Sequence, residues 1–107
     1  MRMTINIKTG RIYLPREVVD FLGTDRIEIT SDDNYFSINE RMGDDDDDGI
    51  RINKDNVINS RAVVQWLVGQ YNFEEEKIVL EISDLRMEGS FPVVYVETGL
   101  PCTNRDE

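Results

Sequence analysis

A chain of 107 residues with 39% hydrophobic content suffices for one compact domain, or for two very small subdomains sharing a core. Its 22 acidic residues outweigh 12 basic ones, giving a net charge of −10 that argues against a surface uniformly attractive to phosphates. No apolar run approaches the roughly 18 residues of a membrane helix, histidine is absent, and the one cysteine, Cys102, can form no intrachain disulfide.

Along the chain, Met3, Ile5 and Ile7 alternate with polar residues and predict a half-buried strand. This N-terminal stretch lacks the continuous apolar run of a secretory signal, so with one cysteine a cytoplasmic location is expected. Thr9-Gly10 supplies a turn, and Arg11 to Leu14 a second short strand. Pro15 fits the first position of a helix, where a missing N–H costs nothing. Val18, Val19 and Leu22 form its apolar stripe, and Gly23 suits a left-handed end. Arg26 to Thr30 and Tyr35 to Ile38, with a turn at residues 31–34, read as a hairpin.

Residues 40–49 are rich in Gly and Asp and read as a linker. Ile50 to Asn53 and Val57-Ile58 are short extended segments. Asn59 or Ser60 caps a second helix lined by Val63, Val64, Leu67 and Val68. Residues 71–76 are a loop, Ile78 to Ile82 and Val93 to Glu97 are strands, and the tail has no periodicity. The expected organisation is a unit at 1–41, an acidic linker at 42–49, a second unit at 50–97 and a tail at 98–107. The fold class is mainly β with two short helices.

Shifting the chain by 45 residues sets Ile7 on Ile52, Ile12 on Val57 and Arg16 on Arg61. Val18-Val19 meets Val63-Val64, and Phe21-Leu22 meets Trp66-Leu67, without a gap. One such unit is too small to bury its own apolar face. Two units closing a shared barrel, within one chain or across a homodimer, would solve that problem.

Gly10, Arg11, Ile12, Leu14, Pro15, Glu17, Val18, Leu22, Gly23, Ile27, Ile29 and the Asp32-Asp33 turn carry a resemblance. Over about residues 4–40 the chain resembles the AbrB/MazE-type swapped-hairpin domain. That resemblance implies two interlocked hairpin units in a β-barrel, with basic strands and loops that contact DNA. Two departures bear on DNA binding. Val19 and Asp20 stand in the short helix where members often carry basic residues, and the connection after Leu22-Gly23 is short. The second half lacks the Gly-Arg and Pro signposts.

No enzyme class fits. The commonest general base and metal ligand is missing, and no nucleophile elbow, P-loop or dinucleotide fingerprint occurs. Cys102 has no imidazole to activate it. No cofactor is expected. Asp44, Asp46, Asp48 and Gly49 match positions 1, 3, 5 and 6 of a calcium loop, with Asp55 at position 12. Any five Asp followed by Gly creates that match, and position 12 normally holds Glu, so a solvated acidic linker is the reading adopted.

Basic residues are concentrated in two segments. Arg2, Lys8, Arg11 and Arg16 lie in residues 1–16 without an acid, and Arg51, Lys54 and Arg61 lie in 50–64 beside Asp55 alone. Gathered on one face, they would offer about seven charges to a duplex backbone. Phe21, Trp66, Tyr71 and Phe73 are read as core side chains. Two functions stand open: a DNA-binding regulator or antitoxin-like protein, and an acidic inhibitor of a basic nucleic-acid-processing protein. The second would dock through Asp44, Asp45, Asp46, Asp47 and Asp48 together with Glu74, Glu75 and Glu76.

Overall fold

The N-terminal alternation becomes β1 (Arg2–Asn6), with Met3 and Ile5 fully buried. The computed structural model describes residues 1–41 and 49–100. After the turn at Gly10 comes β2 (Arg11–Tyr13), burying Ile12. α1 (Arg16–Leu22) follows, buried through Val18 and Leu22. Pro15 precedes the helix instead of opening it: its ψ of 147° is extended, and its carbonyl accepts from Val18 and Val19 N–H. Gly23 ends α1 at φ 68°, its N–H bonded to the Val19 carbonyl. β3 (Arg26–Ser31) and β4 (Tyr35–Glu40) form the expected hairpin.

The second half repeats the order of elements with β5 (Ile50–Arg51), β6 (Val57–Asn59), α2 (Arg61–Tyr71), β7 (Lys77–Glu88) and β8 (Phe91–Glu97). Ser60 caps α2 by accepting from Val63 N–H at 3.3 Å. β7 runs six residues past the expected end at Ile82, because a register shift between Ile82 and Asp84 reverses which residues face inward. Ile78, Leu80 and Ile82 are buried before it and Leu85 is partly buried after it, so the period-2 pattern changes phase mid-strand.

All the described strands join one antiparallel sheet in the order β5-β3-β4-β8-β7-β1-β2-β6. Asn53 N–H reaches the Val57 carbonyl at 2.9 Å where the outermost strands approach, so the sheet is a nearly closed barrel. Exchanging β1 to β4 with β5 to β8 returns the same ring of neighbours. β1–β7, β3–β5, β2–β6 and β4–β8 all join one half of the chain to the other, so neither half completes a sheet alone.

The β2–β6 register is symmetric about Ile12 opposite Ile58, with Arg11 facing Asn59 and Tyr13 facing Val57. Gly10 and Asn56 hold matching left-handed turns, φ 72° and 64°. Gly10 accepts from Ser60 N–H at 2.9 Å, and Asn56 from Leu14 N–H at 3.0 Å. Ile12 thus matches Ile58 and not Val57, as a uniform shift of 45 would require. The turn after Ile52 is one residue longer than the one after Ile7, and the approach to α2 one shorter, so the helices still start at Arg16 and Arg61.

One buried cluster fills the barrel, uniting Met3, Ile5, Ile12, Val18, Ile27, Phe36, Ile38, Ile58, Val64, Leu67, Val94 and Val96. Each such aliphatic side chain contributes about 1.5–3 kcal/mol of burial. α1 packs against β8 and α2 against β2. Tyr71 ends α2 fully buried beside Phe36 and Phe73. Its hydroxyl accepts from Asp32 N–H at 3.0 Å and lies within hydrogen-bond distance of the Asp32 and Tyr35 carbonyls, which pins the β3–β4 turn. Among the described residues, no helix is long and apolar enough to cross a membrane.

Candidate nucleic-acid interface

β2–β6 and β4–β8 occupy opposite walls of the ring. On the β2–β6 side, alternation places every second residue outward. Asn59, Arg11, Asn6 and Lys77 line up in one cross-strand row over β6, β2, β1 and β7. Val57, Tyr13, Thr4 and Val79 form the adjacent row, in which Tyr13 and Val79 are exposed. A cationic amide row beside an aromatic and apolar one offers contacts to phosphates and to flat bases.

The turns extend this surface. Lys8 is exposed in the turn before Arg11. Arg61, first residue of α2, lies on Gly10: a Cβ at that glycine would come within 2.5 Å of Arg61 Cγ and 2.9 Å of its Cα. Lys8, Arg11 and Arg61 therefore come together, and Lys77, which the segmental count of charges overlooked, joins them across β1. Its signal was available: Lys77 is an outward position two residues before Val79. None of these four cations makes an ion pair with another described residue. The Glu76 carbonyl accepts from Ile7 N–H at 2.8 Å, so one acid stands beside the group.

The other basic candidates lie outside this group. Arg16, from the first segment, meets Asp20 at 3.7 Å, while of the second segment Arg51 meets Asp25 at 3.9 Å and Lys54 neighbours Asp55 in the related turn. Arg2 lies at the far end of β1, bonded to Glu81 at 3.3 Å. The cationic surface is thus a patch of four, at one end of the β2–β6 pair.

Of the aromatic residues assigned to the core, Tyr71 and Phe73 are buried and Phe21 partly so, but Trp66 is 40% exposed. The inward line of α2 is Val64, Leu67 and Tyr71, which leaves Trp66 on its flank. Glu74, Glu75 and Glu76 are exposed, the first two on the rim of an apolar groove of about 520 Å³. Asp44 to Asp48, and with them three of the four calcium candidates, lie outside the described residues. Asp55 is exposed in a turn, its N–H bonded to Asn53 Oδ1 at 2.9 Å. Among the described residues, no three His, Cys, Asp or Glu side chains gather as a metal site.

No protein-family profile, curated protein or solved structure matches the chain significantly.

The opposite wall is acidic and aromatic. Tyr35 and Tyr95 stack obliquely at 5.8 Å between ring centres. Each hydroxyl donates to a carboxylate, Tyr35 to Asp32 at 2.9 Å and Tyr95 to Glu88. Those hydrogen bonds, then desolvation, raise both phenol pKa values above the ordinary 10. Arg86 reaches back over Tyr95 while bound to Asp84 at 2.8 Å.

Proposed function

We propose that the chain is a non-enzymatic DNA-binding regulator or antitoxin-like protein, built as a single-chain swapped-hairpin barrel from two repeated strand–strand–helix–strand–strand units. The repeat is supported by the symmetric β2–β6 register, the paired left-handed turns at Gly10 and Asn56, and the four pairings shared between halves. The observation that carries the function is the convergence of Lys8, Arg11, Arg61 and Lys77 on one outer wall. Four phosphate contacts correspond to a log–log salt slope of about −3.6.

Anisotropy with generic labelled duplex across a salt series tests this. Binding at low salt with that slope is expected, and Arg11→Ala with Lys77→Ala should roughly halve the slope. No retention at low salt, or an unchanged slope in the double variant, rejects the proposal. Arg2→Ala serves as a control, since Glu81 already holds that side chain off the patch.

A second reading rests on the exposed Glu74–Glu76 run beside its apolar groove: docking on a basic nucleic-acid-processing protein. Affinity for such a protein that survives replacing these three Glu by Gln, together with removal of the Asp44–Asp48 run, excludes it.

A further inference from the structure

We propose that the outer wall of β4, β8 and the projecting end of β7 docks a protein partner through an arginine side chain, whose guanidinium seats against Tyr95. The inference is independent of DNA binding, because it concerns the wall opposite the cationic patch.

Cross-strand register sets Ser37, Tyr95 and Asp84 in one outward row, and Asn39, Val93 and Arg86 in the next, with Phe91 and Glu88 beyond. Tyr95 lines two grooves. In the first, about 330 Å³, Arg86 is already seated: its guanidinium carbon lies 5.3 Å from the Tyr95 ring centre while Asp84 neutralises it. The ring supplies the quadrupole and the carboxylate the charge.

The second groove, about 320 Å³, offers the same ingredients again. Phe91 joins Tyr95, Glu88 and Glu40 supply carboxylates, and among the described residues no Lys or Arg lines it. It is a seat of the same chemistry without its cation. The hydrogen bond from Tyr95 to Glu88 fixes ring and carboxylate beforehand, so little ordering remains for binding. Phe91 is 44% exposed here, an aromatic surface that the chain by itself leaves in water.

Charge complementarity selects the occupant. Glu28, Glu40, Glu88 and Glu97 face outward or rim this wall; the described cations near it are Arg86, already paired with Asp84, and Arg26 and Arg41 together at its β3 margin. The planar guanidinium stacks on tyrosine and phenylalanine and binds carboxylate through two N–H groups, which a lysine ammonium does not. The groove is a partly open depression on the outer face of the sheet, where a side chain presented by a partner segment can enter from solvent.

The test uses the full chain and a short fluorescein-labelled peptide carrying spaced arginines, with its lysine twin. The arginine peptide is expected to bind more tightly, and amide perturbations should fall on residues 37–40 and 88–95. Phe91→Ala and Tyr95→Leu should each weaken binding about tenfold, and Tyr95→Phe far less. Phe91 lies at an exposed strand end, so Phe91→Ala keeps the test decisive should Tyr95→Leu fail to fold. Arg11→Ala should leave this binding unchanged while weakening DNA. Equal affinity for both peptides, unchanged affinity in Phe91→Ala, or perturbations confined to Glu74–Glu76 would mean plain charge attraction and overturn the proposal.

Discussion

At Gly10 two constraints meet in one residue. Its φ of 72° disfavours any side chain, and the backbone of Arg61 stands where a Cβ would go. Gly23 shares the positive φ, at 68°, but has open space around it. Gly23→Ala should therefore cost about 1 kcal/mol for the left-handed backbone alone. Gly10→Ala should cost clearly more, since α2 must shift, and urea unfolding of both variants measures the difference. Tyr71 is the polar counterpart. Tyr71→Phe removes the hydroxyl that ties Asp32 N–H to the Tyr35 carbonyl; Asp32 N–H keeps the Tyr35 carbonyl as acceptor, so a loss of about 0.5–1.5 kcal/mol is expected in the same assay. Both glycines could be read as turn residues from the sequence. The contact that makes one of them irreplaceable joins residues far apart in the chain and has no local signature.

Among the elements, β1, β2, α1 and the β3–β4 hairpin were legible because each follows one period from end to end. β7 was legible only as far as Ile82, since its bulge puts Ile82 and Leu85 out of phase and its charged end resembles a loop. That charged end has a use. β1 pairs with β7 from Lys77 to Glu81, and Ile82 N–H reaches the Met1 carbonyl. Beyond this point no described strand covers the outer edge of β7. Asp84, Arg86 and Glu88 face outward along that open edge and discourage pairing with another chain. Replacing them by Thr, Val and Val should produce concentration-dependent association, visible by light scattering, with the barrel still folded by circular dichroism. The candidate patch was half legible for a related reason. Lys8 and Arg11 are neighbours in sequence, whereas Lys77 and Arg61 reach them only through sheet register and helix placement.

Taken whole, the molecule carries its patch of four cations and its acidic aromatic wall on opposite sides, which a net charge of −10 conceals. The tyrosines of that wall link stability to alkaline pH. Their folded pKa values stand above the ordinary 10, so their contribution is complete below about pH 10 and is lost as pH rises through the folded values. The double variant Tyr35→Phe, Tyr95→Phe should remove that part of the alkaline loss, as read from urea midpoints at roughly pH 8 to 11. Another consequence lies in the pairing of β1 with β7, where Arg2 sits opposite Glu81. During synthesis the first strand can find this neighbour only after most of the chain has been made. Until then that edge stays open, and the loop that must close, from Asn6 to Lys77, takes in most of the chain. Folding should accordingly be slow for so small a domain, in the millisecond-to-second range of barrels dominated by non-local contacts, and limited by the pairing of β1 with β7.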